Sequence, residues 1–183
     1  MIKMVSNGSD KNWFARNSNI YRLGLTLSFG VIWLIDAVLK WMPSFIDGFS
    51  GYLQSAMTGQ PNWIMGWYNF WINATAYNPA AFAYMVAVIE TLLAVAIIFG
   101  IARKTAYLGG LLFTLFIWSV PDGFGAFWMT GSTDVGASII YVILFLALLL
   151  VDGILGPSRY SIDHLIEKKH KAWARLAEVN PQF

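Results

Sequence analysis

The sequence predicts an all-α integral membrane protein: a four-transmembrane-helix bundle with an aromatic outer loop or interfacial helix and a C-terminal basic amphipathic helix. Three observations lead there. Of 183 residues, 57% are hydrophobic and only 12% charged, whereas soluble domains carry about a quarter charged residues. Four apolar segments, about 22–41, 79–102, 104–120 and 134–155, have the length that crosses a bilayer. Lysine and arginine are then distributed as a multi-pass chain requires: none stands between Trp41 and Ala102, and none between Thr105 and Ser158.

The first twenty residues are polar and contain Lys3, Lys11 and Arg16. No short apolar core followed by a small-residue cleavage site is present, so no cleaved signal peptide is expected. Positive residues favour the cytoplasmic side of short loops. The basic ends and the Arg103-Lys104 turn therefore belong inside, and Lys40 is the one exception. The expected placement is a cell membrane, multi-pass, with both termini cytoplasmic. No repeat or linker divides the chain, so 1–183 reads as a single membrane domain.

The connection from Met42 to Asn78 is rich in aromatic residues. Trp63, Trp67, Phe70 and Trp71 share one face at helical spacing. Two readings fit: an interfacial helix with tryptophans at headgroup level, or an apolar vestibule for a flat lipid-soluble ligand such as a quinone. In the second, Trp33, Trp63, Trp67 and Trp71 are the ligand-binding candidates. Pro79 stands near the first turn of the second span. Asn73-Ala74-Thr75 is a short glycosylation sequon on the expected outer side.

Asp122 and Asp134 flank a glycine-rich outer connection, a pattern of turns and helix caps, or of a small polar ligand's seat at the outer mouth. After the last span, Gly156-Pro157 ends the helix and Ser161 is an N-cap candidate. Over 161–178, apolar Ile162, Leu165, Ile166, Trp173 and Leu176 recur at helical spacing, with Lys168, Lys169, Lys171 and Arg175 mostly off that face. That pattern describes a basic amphipathic helix on the inner leaflet or on a partner subunit.

Composition excludes several functions. A formal charge of +2 with no compact basic patch excludes nucleic acid as a partner. With no cysteine, the chain binds no iron–sulfur cluster and no thiolate metal site. Its only histidines, His164 and His170, stand in the polar tail, which leaves no haem or copper ligands within the membrane. No metal site is expected.

An ionisable side chain inside a span costs roughly 2.5–3.5 kcal/mol on insertion scales and is a functional candidate by default. Arg22, Thr26, Phe29, Trp33, Asp36 and Lys40 form one stripe on the first span. Asp36 and Lys40 stand i, i+4 and share a face. They read either as a mutually neutralising pair or as a proton-exchanging carboxyl tuned by a lysine. Glu90 lies near the middle of the second span with no basic residue within a turn, among Ala80, Ala83, Ala87 and Ala94. It reads as a hydrogen-bonded structural acid, as a proton-exchanging carboxyl, or as the partner of a cation brought near by folding. Asp36, Glu90 and Lys40 are the catalytic candidates. Asp152, at the inner end of the last span, is expected to reach the interface.

Arg22, the run Gly30–Lys40, Glu90 and the closing Gly156-Pro157-Ser158-Arg159-Tyr160-Ser161-Ile162-Asp163 together resemble the DoxX superfamily. The last run is similar to that family's Gly-Pro-Gly-Arg-Tyr-Ser-x-Asp signature, with Ser158 in place of its second glycine. The resemblance covers roughly Arg22 to Asp163. It implies a four-helix membrane protein. The long aromatic loop makes the chain look more like the DoxD-type or an archaeal DoxX-like branch than a short bacterial DoxX; DoxD is a subunit of an archaeal thiosulfate:quinone oxidoreductase that acts with a second subunit, DoxA.

The expectation is therefore a membrane subunit of a quinone-linked oxidoreductase with quinone as substrate, a DoxA-like partner, and no haem, iron–sulfur or flavin of its own. The alternative is a non-catalytic scaffold or assembly subunit among respiratory-complex subunits. A small carrier or channel is a third class, and it needs an aqueous path that two deep carboxylates support poorly.

Overall fold

The computed structural model describes residues 8–181; Lys3 lies outside them. Among the described residues the chain is helical and has no strand. In order the helices are α1 (Gly8–Lys40), α2 (Pro43–Met57), α3 (Met65–Ala76), α4 (Pro79–Phe99), α5 (Arg103–Ser119), α6 (Ser138–Leu155), α7 (Ile162–Glu167) and α8 (Ala174–Ala177). Three helical stretches are long and apolar enough to cross a membrane: Ala15–Lys40 within α1, Pro79–Phe99 and Ser138–Leu155. The 17-residue α5 packs along α6.

Helix α1 is already formed at Gly8, the first described residue, well before Arg22. From Ser9 to Leu23 no glycine or proline interrupts the chain, so the polar segment continues the helix instead of forming a separate tail. Helix α4 is bounded by explicit signals. The Asn78 side chain accepts from the Ala81 N–H at 3.1 Å, Pro79 follows at the first helical position, and Gly100 ends the helix at φ 63°. It therefore stops short of residue 102, and α6 likewise begins after the Gly136 turn rather than at 134.

Two helix pairs make the bundle, α1 against α4 and α5 against α6. Helices in lipid gain nothing by leaving one apolar solvent for another, so close packing and polar contacts must hold them. At Gly110, an added Cβ would run into the Phe145 ring, so the ring rests directly on the α5 backbone. Ala83, Ala87 and Ala94 are fully buried on α4, whereas Ala80 is exposed. Phe29 and Trp33 of α1 meet Phe145 of α6 at centroid distances of 4.9 and 5.4 Å. These rings join the two pairs, each aromatic contact adding about 0.5–1.5 kcal/mol beyond area burial. The α1 stripe accordingly faces the interior: Arg22, Thr26, Phe29 and Trp33 are buried, and Asp36 and Lys40 half-buried.

One end of the bundle is closed by an ion network. Asp152 bridges two buried arginines, with Oδ1 3.2 Å from Arg22 Nη1 and Oδ2 3.0 Å from Arg103 Nη1. Arg103 also donates to Asp163 at 3.1 Å and to Glu178 at 2.8 Å. Asp163 accepts three more bonds, from the Ala102 and Arg103 backbone N–H groups and from Trp173 Nε1. Asp152 is thus a buried bridge rather than an interfacial acid, because its two cations come from other helices.

The same network reshapes the tail. The expected continuous amphipathic helix over 161–178 is replaced by α7, a 3₁₀ turn at Lys171–Trp173 and α8. Ser161 does cap α7, accepting from the His164 N–H at 3.3 Å. Beyond it, the bonds from Trp173 to Asp163 and from Arg103 to Glu178 fold the chain back onto the bundle end. A straight helix cannot make both contacts.

Candidate functional site

At the opposite end, the aromatic connection folds into two helices rather than one. Helix α2 begins with Pro43 at its first turn and buries Ile46 and Leu53, one face of the helix. Helix α3 follows a 3₁₀ turn at Asn62–Ile64 and buries Tyr68 and Thr75. Burial pushes the Tyr68 phenol up to about 12. With α1, α4, α5 and α6, these helices surround a cavity of about 700 Å³, within the range of pockets that hold drug-sized or cofactor-sized molecules.

The walls are mostly apolar and include aromatic side chains from several helices, among them Phe45 and Phe49 of α2, Trp71 of α3, Phe82 of α4, and Phe113 and Phe116 of α5. Trp71 packs edge-on against Phe116 at 4.6 Å. Set into this apolar lining is a charged cluster drawn from two helices. Lys40 Nζ lies 3.1 Å from Asp36 Oδ1 and 3.5 Å from Glu90 Oε2. The i, i+4 spacing on α1 makes the first contact, and packing of α1 on α4 makes the second. Lys40 also sits 5.4 Å from the Phe45 ring centroid, a cation–π contact.

Of the sequence candidates, Trp33, Asp36, Lys40, Trp71 and Glu90 all line this cavity. Trp63 and Trp67 do not. Trp63 is 71% exposed and packs on Trp128 at 5.2 Å. Trp67 donates from Nε1 to the Ser119 carbonyl at 3.1 Å. Trp63 lies on the 3₁₀ turn rather than on α3, so the helical spacing over 63–71 does not describe one surface.

One polar residue of the lining, Asp122, comes from the connection between α5 and α6. Asp122 Oδ2 accepts from the Ser138 N–H at 3.3 Å, fastening the first turn of α6 to the cavity rim. Asp134 accepts from the Gly136 N–H at 2.7 Å and is a turn residue. Thr75, the third residue of the sequon, is buried and donates to the Trp71 carbonyl at 2.9 Å.

Several buried polar atoms of the lining have no hydrogen-bond partner: Trp33 Nε1, Trp71 Nε1, and both carboxylate oxygens of Glu90. Buried polar groups are otherwise satisfied almost everywhere in folded proteins. These four atoms belong to residues around one apolar cavity.

No family model, no curated protein and no solved structure matches the chain.

Proposed function

We propose that this chain is a DoxX/DoxD-like membrane subunit of a quinone-linked oxidoreductase, and that the aromatic cavity is its quinone site. The observation that carries the reading is the cavity itself: about 700 Å³ with a mostly apolar lining to which six helices contribute, and with Asp36, Lys40 and Glu90 at one wall. In this reading α5 crosses the membrane as a fourth span. The Arg103-Lys104 turn and both termini face the cytoplasm, and the cavity opens in the outer half of a cell-membrane bundle.

Reduction of a quinone to a quinol consumes two electrons and two protons. Nothing in this sequence stores electrons, so they come from a partner subunit, DoxA-like or respiratory. If the ultimate donor is thiosulfate, two thiosulfates joining through a new S–S bond release the two electrons. The cavity is an unfavourable place for that half-reaction. Lys40 is already shared by two carboxylates and Asp122 adds a third, so a divalent anion meets net negative charge. The sulfur chemistry is therefore assigned to the partner. Asp36 and Glu90 pass protons to the ring oxygens, and Lys40 holds both carboxyls in place.

A second reading is favoured by the same ion cluster. Because Lys40 gives both carboxylates a partner, the cluster also suits a scaffold subunit whose charges only fix helix register. Purification from native membranes in mild detergent, followed by solvent extraction, separates the two. The quinone reading expects about one quinone per chain and its loss in Val86→Phe, which adds bulk to the cavity wall. Under the scaffold reading no quinone is retained, and Glu90→Gln leaves turnover of the assembled complex unchanged.

A further inference from the structure

We propose that the cavity binds its ring ligand preferentially in the reduced, hydroxyl-bearing form, an inference that rests on the quinone reading above. Glu90 is 0% exposed; its Oε2 is met only by the long Lys40 contact and its Oε1 by no donor. Lys40 approaches to 3.5 Å as an ion partner while it donates to Asp36 at 3.1 Å. A buried acceptor left without a donor carries its full desolvation cost, so the molecule that fits best brings an O–H. The ring oxygens of a quinone only accept. Beside the ionised Glu90, the form that Lys40 pairs with, they crowd acceptor against acceptor, and only when Glu90 has taken up the proton it passes to the ring does it donate to them.

A quinol hydroxyl donates to the Glu90 carboxylate and keeps lone pairs to accept with. The cavity supplies that half as well. Trp33 Nε1 and Trp71 Nε1 can only donate, both lack acceptors, and both residues line the same space. Charge points the same way: Asp36 and Glu90 outnumber Lys40, so the cluster favours a proton-donating neutral ligand over an electron-rich acceptor. A site that holds the reduced form more tightly raises the midpoint potential of the bound couple, by about 30 mV for each tenfold of preference. Bound quinone is thereby the stronger oxidant, which suits a subunit that takes electrons from a donor.

The test is titration calorimetry under argon on the full chain in lipid nanodiscs, with three probes: a short-chain benzoquinone, its quinol, and the dimethyl ether of that quinol. The ether keeps the ring and its acceptors but cannot donate. One charge-assisted hydrogen bond is worth about tenfold or more in affinity. The quinol is therefore expected to bind about tenfold tighter than both the quinone and the ether. Glu90→Gln is expected to shrink the quinol-to-quinone ratio to within about threefold. The ether comparison needs no variant, so it decides the matter even if Glu90→Gln misfolds. Equal affinity for quinol, quinone and ether overturns this inference and leaves the quinone site standing. Failure of all three to bind overturns both.

Discussion

Replacing Asp152 by Asn tests what holds the bundle end together. Asp152 gives one oxygen to Arg22 and the other to Arg103, and all three side chains are at most 6% exposed. Asparagine keeps a single acceptor and turns an NH₂ toward the other arginine, donor against donor. Arg103 retains Asp163 and Glu178. Arg22 is left with neutral acceptors only, the Gly156 carbonyl at 2.6 Å, the Pro157 carbonyl at 3.3 Å and Asn19 Oδ1 at 2.8 Å. One-sided removal of a buried ion partner costs about 3–5 kcal/mol, and those remaining acceptors place this case at the lower end, about 3 kcal/mol. For a chain of this size that is a fall in Tm of about 6–12 °C. Thermal unfolding in detergent, followed by circular dichroism, reads it directly, with the exposed Asp47→Asn as a control expected to stay within about 0.5 kcal/mol of the parent. The double replacement Arg22→Met with Asp152→Asn is expected to recover part of the loss. A fall under about 2 °C for Asp152→Asn would refute the claim that this bridge fastens the bundle end.

Three further outcomes are expected. Gly110→Ala drives a methyl into the Phe145 ring, and such overpacking costs about 1–3 kcal/mol, read in the same unfolding assay; a neutral result would mean that α5 and α6 do not approach as closely as described. Lys40→Met leaves the fully buried Glu90 without its cation and destabilises by about 3 kcal/mol, with Glu90→Gln in the same chain restoring most of it; absence of that rescue would show that the two side chains are not coupled. Glu167 is held up at about 7 by burial and by the neighbouring acids Glu178 and Asp163, so folding favours its protonated form. The penalty begins as pH rises past the unfolded value near 4.5 and is complete above about 7. Hydrogen exchange at α7 and α8 is therefore expected to quicken across that window beyond its intrinsic pH dependence, and Glu167→Gln to remove the excess.

The parts of this structure visible in the sequence are those written within a single helix. The 3–4 spacing from Arg22 to Lys40 marks the buried face of α1, and the Asp36–Lys40 pair follows from i, i+4 geometry alone. Pro79 marks the start of α4, whereas the expected end at residue 102 runs past Gly100, whose φ of 63° stops the helix. Contacts between helices were not visible. Nothing within α1 or α4 states their relative depth, so the cation that joins Glu90 could be named only as one brought near by folding. Asp152 was misread for the same reason: Arg22 and Arg103 reach it from distant parts of the chain.

The tail shows how periodicity misleads. Apolar spacing over 162–176 fits a helix, yet it carries no record of the Trp173–Asp163 bond that turns the chain. Helix α2 did leave a signal, Pro43 followed by Ile46, Phe49 and Leu53 at helical spacing, which the abundance of aromatics around it obscured.

The central claim is that a ring ligand occupies the cavity that α1 to α6 surround. Photolabelling of the chain in native membranes with an azidoquinone, followed by mass spectrometry of the adducts, tests it most directly. The account predicts labels on cavity residues such as Trp33, Phe45, Phe82 and Val86, competed away by unlabelled quinone and absent in Val86→Phe. Labels confined to the outward-facing Val31, Ile35, Val38 and Leu92, and insensitive to competitor, would contradict it.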